Sequence, residues 1–315
     1  MLHEIASFID AINLQQWRLK RPHRFVFLCG GKLNEGAETP CSVREHFLRR
    51  CHTRKELAAG IPIVLAEDVN QSFSPAKFND LLELEKYVAS LSEVNILILE
   101  SAGSIAELGA FSQSSEIASR LFVAVKDDRH PVDSFISNGP LLFLEKSFGE
   151  EVVSNYPFIS EGETLRASSP VVGDLYQDVF GIVSSRSIEE KFKPRSKSHI
   201  MNLIAQLAYL FYGVTIIEMQ SYLNRLDIDL DDREMRLMFH ALQLVGWIQR
   251  RKYKQFYYYV ATKGFSPSAV AYKPKKKNDT LRWRFDIFQE LKKKNDFRVD
   301  VFRRSLGEAA DEVAA

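Results

Sequence analysis

This 315-residue chain has no apolar run approaching the about 18 residues that a membrane-spanning helix needs, so no bilayer-crossing segment is expected. Its N-terminus also lacks a secretory signal pattern. Cysteine is scarce: Cys29, Cys41 and Cys51, an odd number, build no disulfide framework and suit a reducing, cytoplasmic setting. The spacing of Cys41, His46, Cys51 and His52 fits no usual zinc pattern, and no metal is expected. Net charge is only +1, which excludes a uniformly basic or acidic chain but conceals an asymmetry. From Arg250 to Arg304 basic residues far outnumber acidic ones. They are densest at Arg250, Arg251, Lys252 and Lys254 and again at Lys275, Lys276 and Lys277. Such an excess points to nucleic acid as an anionic partner, against the plainer reading of a solvated tail.

The length allows two domains. Strands are expected at 24–28, 61–65, 94–99 and 121–125, with a further one at 141–144. Helices are expected at 1–20, from Ser42 through Leu48, at 78–91 and at 105–119. Ser42 with Glu45 three residues on has the form of a capping box. Alternating strands and helices imply a doubly wound, Rossmann/flavodoxin-like parallel sheet over 1–150. Residues 151–198 have the character of a helical connector. From 199 to 265 three helical patterns precede the basic, aromatic run Trp247–Val260, the element order of a winged helix. Residues 266–315 form a basic C-terminal tail. Trp247, Tyr253, Phe256 and Tyr257 to Tyr259 either fill the core of that second domain or stack on bases.

The most informative stretch is 95–111. A buried strand ends at Leu99, a small polar turn follows with Ser101, Gly103 and Ser104, and a helical pattern begins at Ile105. Glu107 then lies just past the carboxyl end of a central strand, where open α/β sheets gather ligands. Ser101, Ser104 and the Gly103 amide could hold ribose hydroxyls or phosphate oxygens near a helix N-terminus. The plainer reading of Glu107 is a first-turn acid that stabilises the helix dipole. Gly30-Gly31 could be only a tight turn, Glu67-Asp68 a helix cap, and Asn138 a turn former.

The string Ser101-x-Gly103-Ser104-x-x-Glu107-Leu108-Gly109 resembles the motif of nucleoside 2-deoxyribosyltransferase-like N-glycosidases. With Glu100, Ala110 and Phe111 included, it resembles the branch made up of effector toxins encoded beside retron reverse transcriptases. Phe27-Leu28-Cys29-Gly30-Gly31, Glu67-Asp68 and Phe135-Ile136 with Gly139-Pro140 match further pieces, so the likeness covers about residues 25–145, under half of the chain. The resemblance implies that Glu107 is the catalytic carboxylate. It implies that Gly30, Gly31, Glu67, Asp68, Ser101, Gly103, Ser104 and Asn138 line the substrate site, and that a homo-oligomer completes it. It also implies a toxin of an antiviral, toxin–antitoxin type retron system, held quiet by a reverse transcriptase and its branched multicopy single-stranded DNA (msDNA).

One departure bears on substrate. The position six residues before the catalytic glutamate is commonly aspartate in the transferases, and here it is Ser101. Nicotinamide in NAD leaves without a proton, so NAD as substrate, rather than as cofactor, is the expectation, with Glu100, immediately before Ser101, as an alternative acid. Ala102 also stands where the retron branch often has proline. Two other readings stay open: a nucleotide sensor without turnover joined to a DNA-binding winged helix, and a deoxyribosyltransferase of nucleotide salvage.

Overall fold

The computed structural model describes residues 2–305 except 22, 35, 37, 52–55, 58–59, 73–79, 128–133, 163, 188, 264 and 274–278. Lys275, Lys276 and Lys277 therefore lie outside the described residues. Two compact units form, one of residues 24–186 and the other of 1–23 with 187–315.

The 24–186 unit is built on a six-stranded sheet. Val26–Cys29, Ile61–Leu65, Val94–Ile98, Leu121–Lys126 and Val153–Tyr156 run parallel, and Glu56–Leu57 adds an antiparallel edge beside 61–65. Numbered along the chain, the parallel strands lie in the order 2-1-3-4-5, that of a doubly wound sheet whose winding reverses between 26–29 and 94–98. All residues of 26–29 and 94–98 are buried, which is why both read as unbroken apolar runs. Val26, Leu28, Val94, Ile96 and Ile98 join a core with Val43 and Phe47 of the helix Val43–Arg50 and with Val172, Leu175, Val179 and Val183 of the helix Ser169–Ser185. Alternation along the strand sends Phe27 and Cys29 to the other face. There the Phe27 ring meets Phe111 of the helix Ala102–Ser112 at 6.4 Å.

The strand expected at 141–144 is not one. Residues Ser137–Leu141 make a π-helical turn around Pro140, and Leu142–Phe148 continues as α-helix. Leu141 and Leu144 are buried while Phe143 is exposed, a spacing of three that suits a helix rather than a strand. The fifth parallel strand is 153–156 instead. The 169–185 helix packs on this unit's own sheet, so residues 151–186 contribute to its core.

In the other unit the first helix is short, His3–Ala11, because Ile12 is extended and bridges Tyr272. Arg18–Lys20 then pairs antiparallel with Glu189–Lys191. Helices Lys197–Leu210, Ile216–Arg225 and Asp232–Leu244 precede the hairpin of Ile248–Tyr253 and Phe256–Ala261. Val214 bridges Tyr259, adding a third backbone segment to that ribbon. Among the described residues after 265, helices form at Thr280–Lys293 and Arg298–Ser305. The first carries apolar residues at helical spacing, with Ile287 and Leu291 fully buried and Trp283 against Phe8 at 5.6 Å. Among the described residues no helix is long and apolar enough to cross a membrane.

Candidate active site

The sheet's switch point lies between the ends of 26–29 and 94–98, and the sequence places two special turns there. After Cys29 come Gly30 and Gly31; after Ile98 come Leu99, Glu100 and the capped start of the 102–112 helix. Glu100 folds back under the glycines. One of its oxygens accepts the amides of Gly31 (2.8 Å) and Arg44 (2.9 Å), and the other accepts that of Val43 (2.7 Å). It thereby caps the first turn of the 43–50 helix, with Ser42 accepting from the Glu45 amide. A Cβ on Gly31 would stand 2.7 Å from Glu100 Cδ and 2.9 Å from Ser42 Cβ. One on Gly30 would stand 3.1 Å from Arg44 Cβ. The glycines make room for these side chains. Burial raises the Glu100 carboxyl while its three amide donors pull the other way. Both its oxygens are already engaged, so it is a cap and not a free acid.

Ser101 is the helix N-cap and forms a reciprocal capping box with Ser104. Its hydroxyl also donates to the Gly30 carbonyl at 3.0 Å, tying the two turns together. Ser104 is buried and its hydroxyl donates to the Ser101 carbonyl at 2.9 Å, so both serines serve the turn. Gly103 is exposed.

Glu107 occupies the second turn of the helix, not the first, and the first turn holds no acid. Reading it as a dipole partner therefore fails. It is mostly enclosed and hydrogen-bonded to the thiol of Cys29, the last residue of the 26–29 strand. Burial pushes its carboxyl up to about 7; the Cys29 hydrogen bond and the Arg44 charge oppose that, and Glu67 adds to it. Burial and the Glu107 charge keep the Cys29 thiol protonated. A second acid, Glu85 of the helix Leu81–Leu91, is also pushed up to about 7. Burial is the main cause, followed by the charges of Glu107, Glu67 and Asp80. The charge of Glu107 thus adds to the cost of ionising Glu85 in an enclosed site.

Arg44 supplies the compensating cation. It is 1% exposed, and its two Nη atoms meet the Glu67 oxygens at 2.9 and 2.5 Å. Its Nε has no hydrogen-bond partner among the described residues. Asp68 accepts from the Leu65 amide at 2.9 Å and caps the helix Ala66–Ser72, while Glu67 joins the cluster. Asn138 is exposed on the 137–141 turn, which packs beside the 102–112 helix. Thus Glu107, Glu67, Gly30, Gly31 and Ser101 converge, Asp68 and Ser104 are structural caps, and the chain adds Cys29, Arg44 and Glu85. Those additions carried one faint sign. Arg44 lies on the stripe of Phe47 and Leu48, and Glu85 on that of Val88, each a charge where an amphipathic helix should be apolar. Among the described residues no group of three or more His, Cys, Asp or Glu could hold a metal.

A cavity of about 640 Å³ on this unit lies at the other end of the 43–50 helix, against Arg49, Arg50, Ser169 and Pro170. It includes none of the convergent residues.

On the hairpin, Arg250, Arg251, Lys252 and Lys254 are all exposed. Arg250 lies over the Tyr257 ring at 4.5 Å and Lys254 over Tyr253 at 5.7 Å. Trp247, Tyr258 and Tyr259 are buried, and Tyr253 stacks on Phe297 at 4.8 Å. Only Phe256 and Tyr257 of the expected aromatic set stand open.

A family model described as STM3845 retron effector protein matches residues 40–250. An Escherichia coli protein named "Retron Ec73 putative ribosyltransferase/DNA-binding protein" is 26% identical over 180 residues, 54% of this chain and 54% of its own length. Its Escherichia coli counterpart of the same designation from retron Ec86 is 31% identical over 132 residues, 41% of this chain and 39% of its own length. The chain thus spans about half or less of the curated relatives it matches.

Proposed function

The chain belongs to the retron effector family whose model it matches, and on that premise we propose that it is a toxin that breaks the N-glycosidic bond of a nucleotide. NAD is the favoured substrate. The observation that carries this reading is the enclosed Glu107 at the sheet's switch point, flanked by Cys29 and a second carboxyl. Glycosidic cleavage passes through an oxocarbenium-like state at the anomeric carbon. Ionised Glu107 attacks C1 of the ribose as the C1–N bond breaks, and the bonding pair departs with the base. Nicotinamide takes that pair onto its cationic nitrogen and leaves neutral. Water then opens the glycosyl ester, giving ADP-ribose and returning Glu107 with release of a proton. Enclosure strengthens each of these interactions.

A second reading has a specific observation behind it. Glu85, raised to about 7, keeps a proton more readily than an ordinary carboxyl and can hand it to a departing neutral base. It stands in for the acid that Ser101 lacks, so purine or pyrimidine nucleotides are the runner-up substrates. Incubating the purified chain, free of partners, with NAD and separately with nucleosides and nucleotides decides between them. Released nicotinamide supports the first, a released neutral base the second, and saturable binding without product a sensor.

We further assign the 197–261 region the role of a winged helix that meets nucleic acid. The three helices, the ribbon bridged by Val214, and the exposed Arg250, Arg251, Lys252 and Lys254 support that role. Reverse transcriptase and msDNA are the proposed partners. Exposed Ile105, Phe135 (87% exposed) and Phe143, with Asn138 on the same turn, support a second copy beside the 102–112 helix.

A further inference from the structure

A cavity of about 260 Å³ lies in the helical unit, lined by Ala208, Tyr209, Ala261, Thr262, Lys263, Phe265, Arg284 and Phe302. Its walls are aromatic and its rim is cationic. Tyr209 and Phe265 stack at 5.3 Å with their planes 25° apart. Arg284 is half-buried and laid flat over Tyr209 at 4.0 Å and Tyr212 at 4.4 Å, with Phe302 at 5.4 Å. Its Nε donates to the Tyr209 carbonyl at 3.4 Å, while its Nη atoms have no acceptor among the described residues. Lys263 is exposed at the mouth. The Thr262 hydroxyl is already committed to the Gly246 carbonyl at 2.7 Å. Tyr212 holds φ 62°, a left-handed conformation rare for a bulky residue, and this turn brings its ring onto Arg284, Phe288 and Phe302.

We propose that this cavity binds a single nucleobase together with its phosphate. A flat ring packs against Phe265, Phe302 and Ala261 beside Arg284, since the Tyr209 ring is already covered by Phe265 and Arg284. The free Nη donors of Arg284 meet acceptors on the base edge, a pairing that guanine satisfies best. Lys263 neutralises the phosphate. A purely apolar ligand would leave two cations unused, and a bare anion would leave the aromatic wall unused. The site is separate from the Glu107 cluster and does not depend on the glycosidase reading. The same chemistry is offered by an unpaired base within a single strand and by a free mononucleotide.

The test is fluorescence quenching of 6-methylisoxanthopterin, a guanine analogue that keeps the ring carbonyl acceptor, presented to the full chain either as the mononucleotide or at one position of a short single-stranded oligonucleotide. Quenching is expected with at least one of the two probes. Quenching by the oligonucleotide alone identifies a strand, and quenching by the mononucleotide identifies a free nucleotide. Lys263→Glu, at an exposed position, and Ala261→Leu, which fills the cavity, are each expected to raise the dissociation constant of the quenched complex at least fivefold. Glu107→Gln is expected to leave it unchanged. If Ala261→Leu fails to fold, Lys263→Glu still decides. Absence of quenching by both probes overturns the proposal. So does quenching that is lost in Glu107→Gln yet kept in Lys263→Glu.

Discussion

At the scale of single residues, Glu107 combines two costs that a merely structural carboxylate would avoid: burial and a neighbouring acid. Both Glu107 and Glu85 are raised from 4.5 to about 7 in the folded chain. Their protonated forms therefore add stability that is complete below about pH 4.5 and is lost as pH rises through about 7. Glu107→Gln is expected to raise unfolding free energy by about 1–3 kcal/mol at pH 8 and to change it little at pH 4.5. Thermal unfolding at the two pH values checks this. The same substitution should cut turnover at least about a hundredfold. NAD cleavage should follow a single rising limb near pH 7, whereas a neutral base needing Glu85 as acid should give a bell. Cys29→Ala removes a hydrogen bond that favours the ionised form, so it should move the rising limb to higher pH. The placement of Glu107 past the end of a central strand was legible because the apolar strand and the small-residue turn are contiguous in the chain. Arg44 and Glu85 come from helices elsewhere, and one charge on an apolar stripe says only that it is buried, not what it meets.

At the scale of elements, the site rests on one carboxylate that ties two strand ends to a helix. Glu100 holds three amides of the Gly31 turn and the 43–50 helix. Glu100→Gln should cost about 1–3 kcal/mol, because a neutral amide cannot serve those donors equally. Gly31→Ala should cost a similar about 1–3 kcal/mol by crowding Glu100 and Ser42. Denaturant unfolding measures both. The sequence could show that the glycines were needed, but not that protein rather than ligand fills the space above them. The Ser42–Glu45 expectation was half met: Ser42 caps, while Glu45 accepts from Cys41 at 2.9 Å rather than from the cap residue. The parallel strands were plain because burial on both faces leaves unbroken apolar runs. At 141–144 a short apolar run served a helix instead, an ambiguity that periodicity alone does not resolve.

At the scale of the whole molecule, the chain joins an α/β unit to a helical unit with a basic ribbon. Composition disclosed the charge asymmetry but not that residues 280–293 and 298–305 fold into helices, since their many lysines and arginines mask the buried Ile287, Leu291 and Val301. Changing Arg251, Lys252 and Lys254 together to glutamate should weaken single-stranded DNA binding and flatten the log–log salt dependence by about 2, as expected for three lost phosphate contacts. A filter-binding titration across salt concentrations reads this. The account stands or falls on a bond between Glu107 and a sugar. The direct measurement is mass spectrometry of the chain acid-quenched during turnover of an NAD analogue whose 2-fluoro sugar slows release. The expected result is an added mass of the 2-fluoro analogue of ADP-ribosyl, confined to the peptide that contains Glu107 and absent in Glu107→Gln. Nicotinamide release that persists undiminished in Glu107→Gln, or an adduct on a different residue, would contradict it.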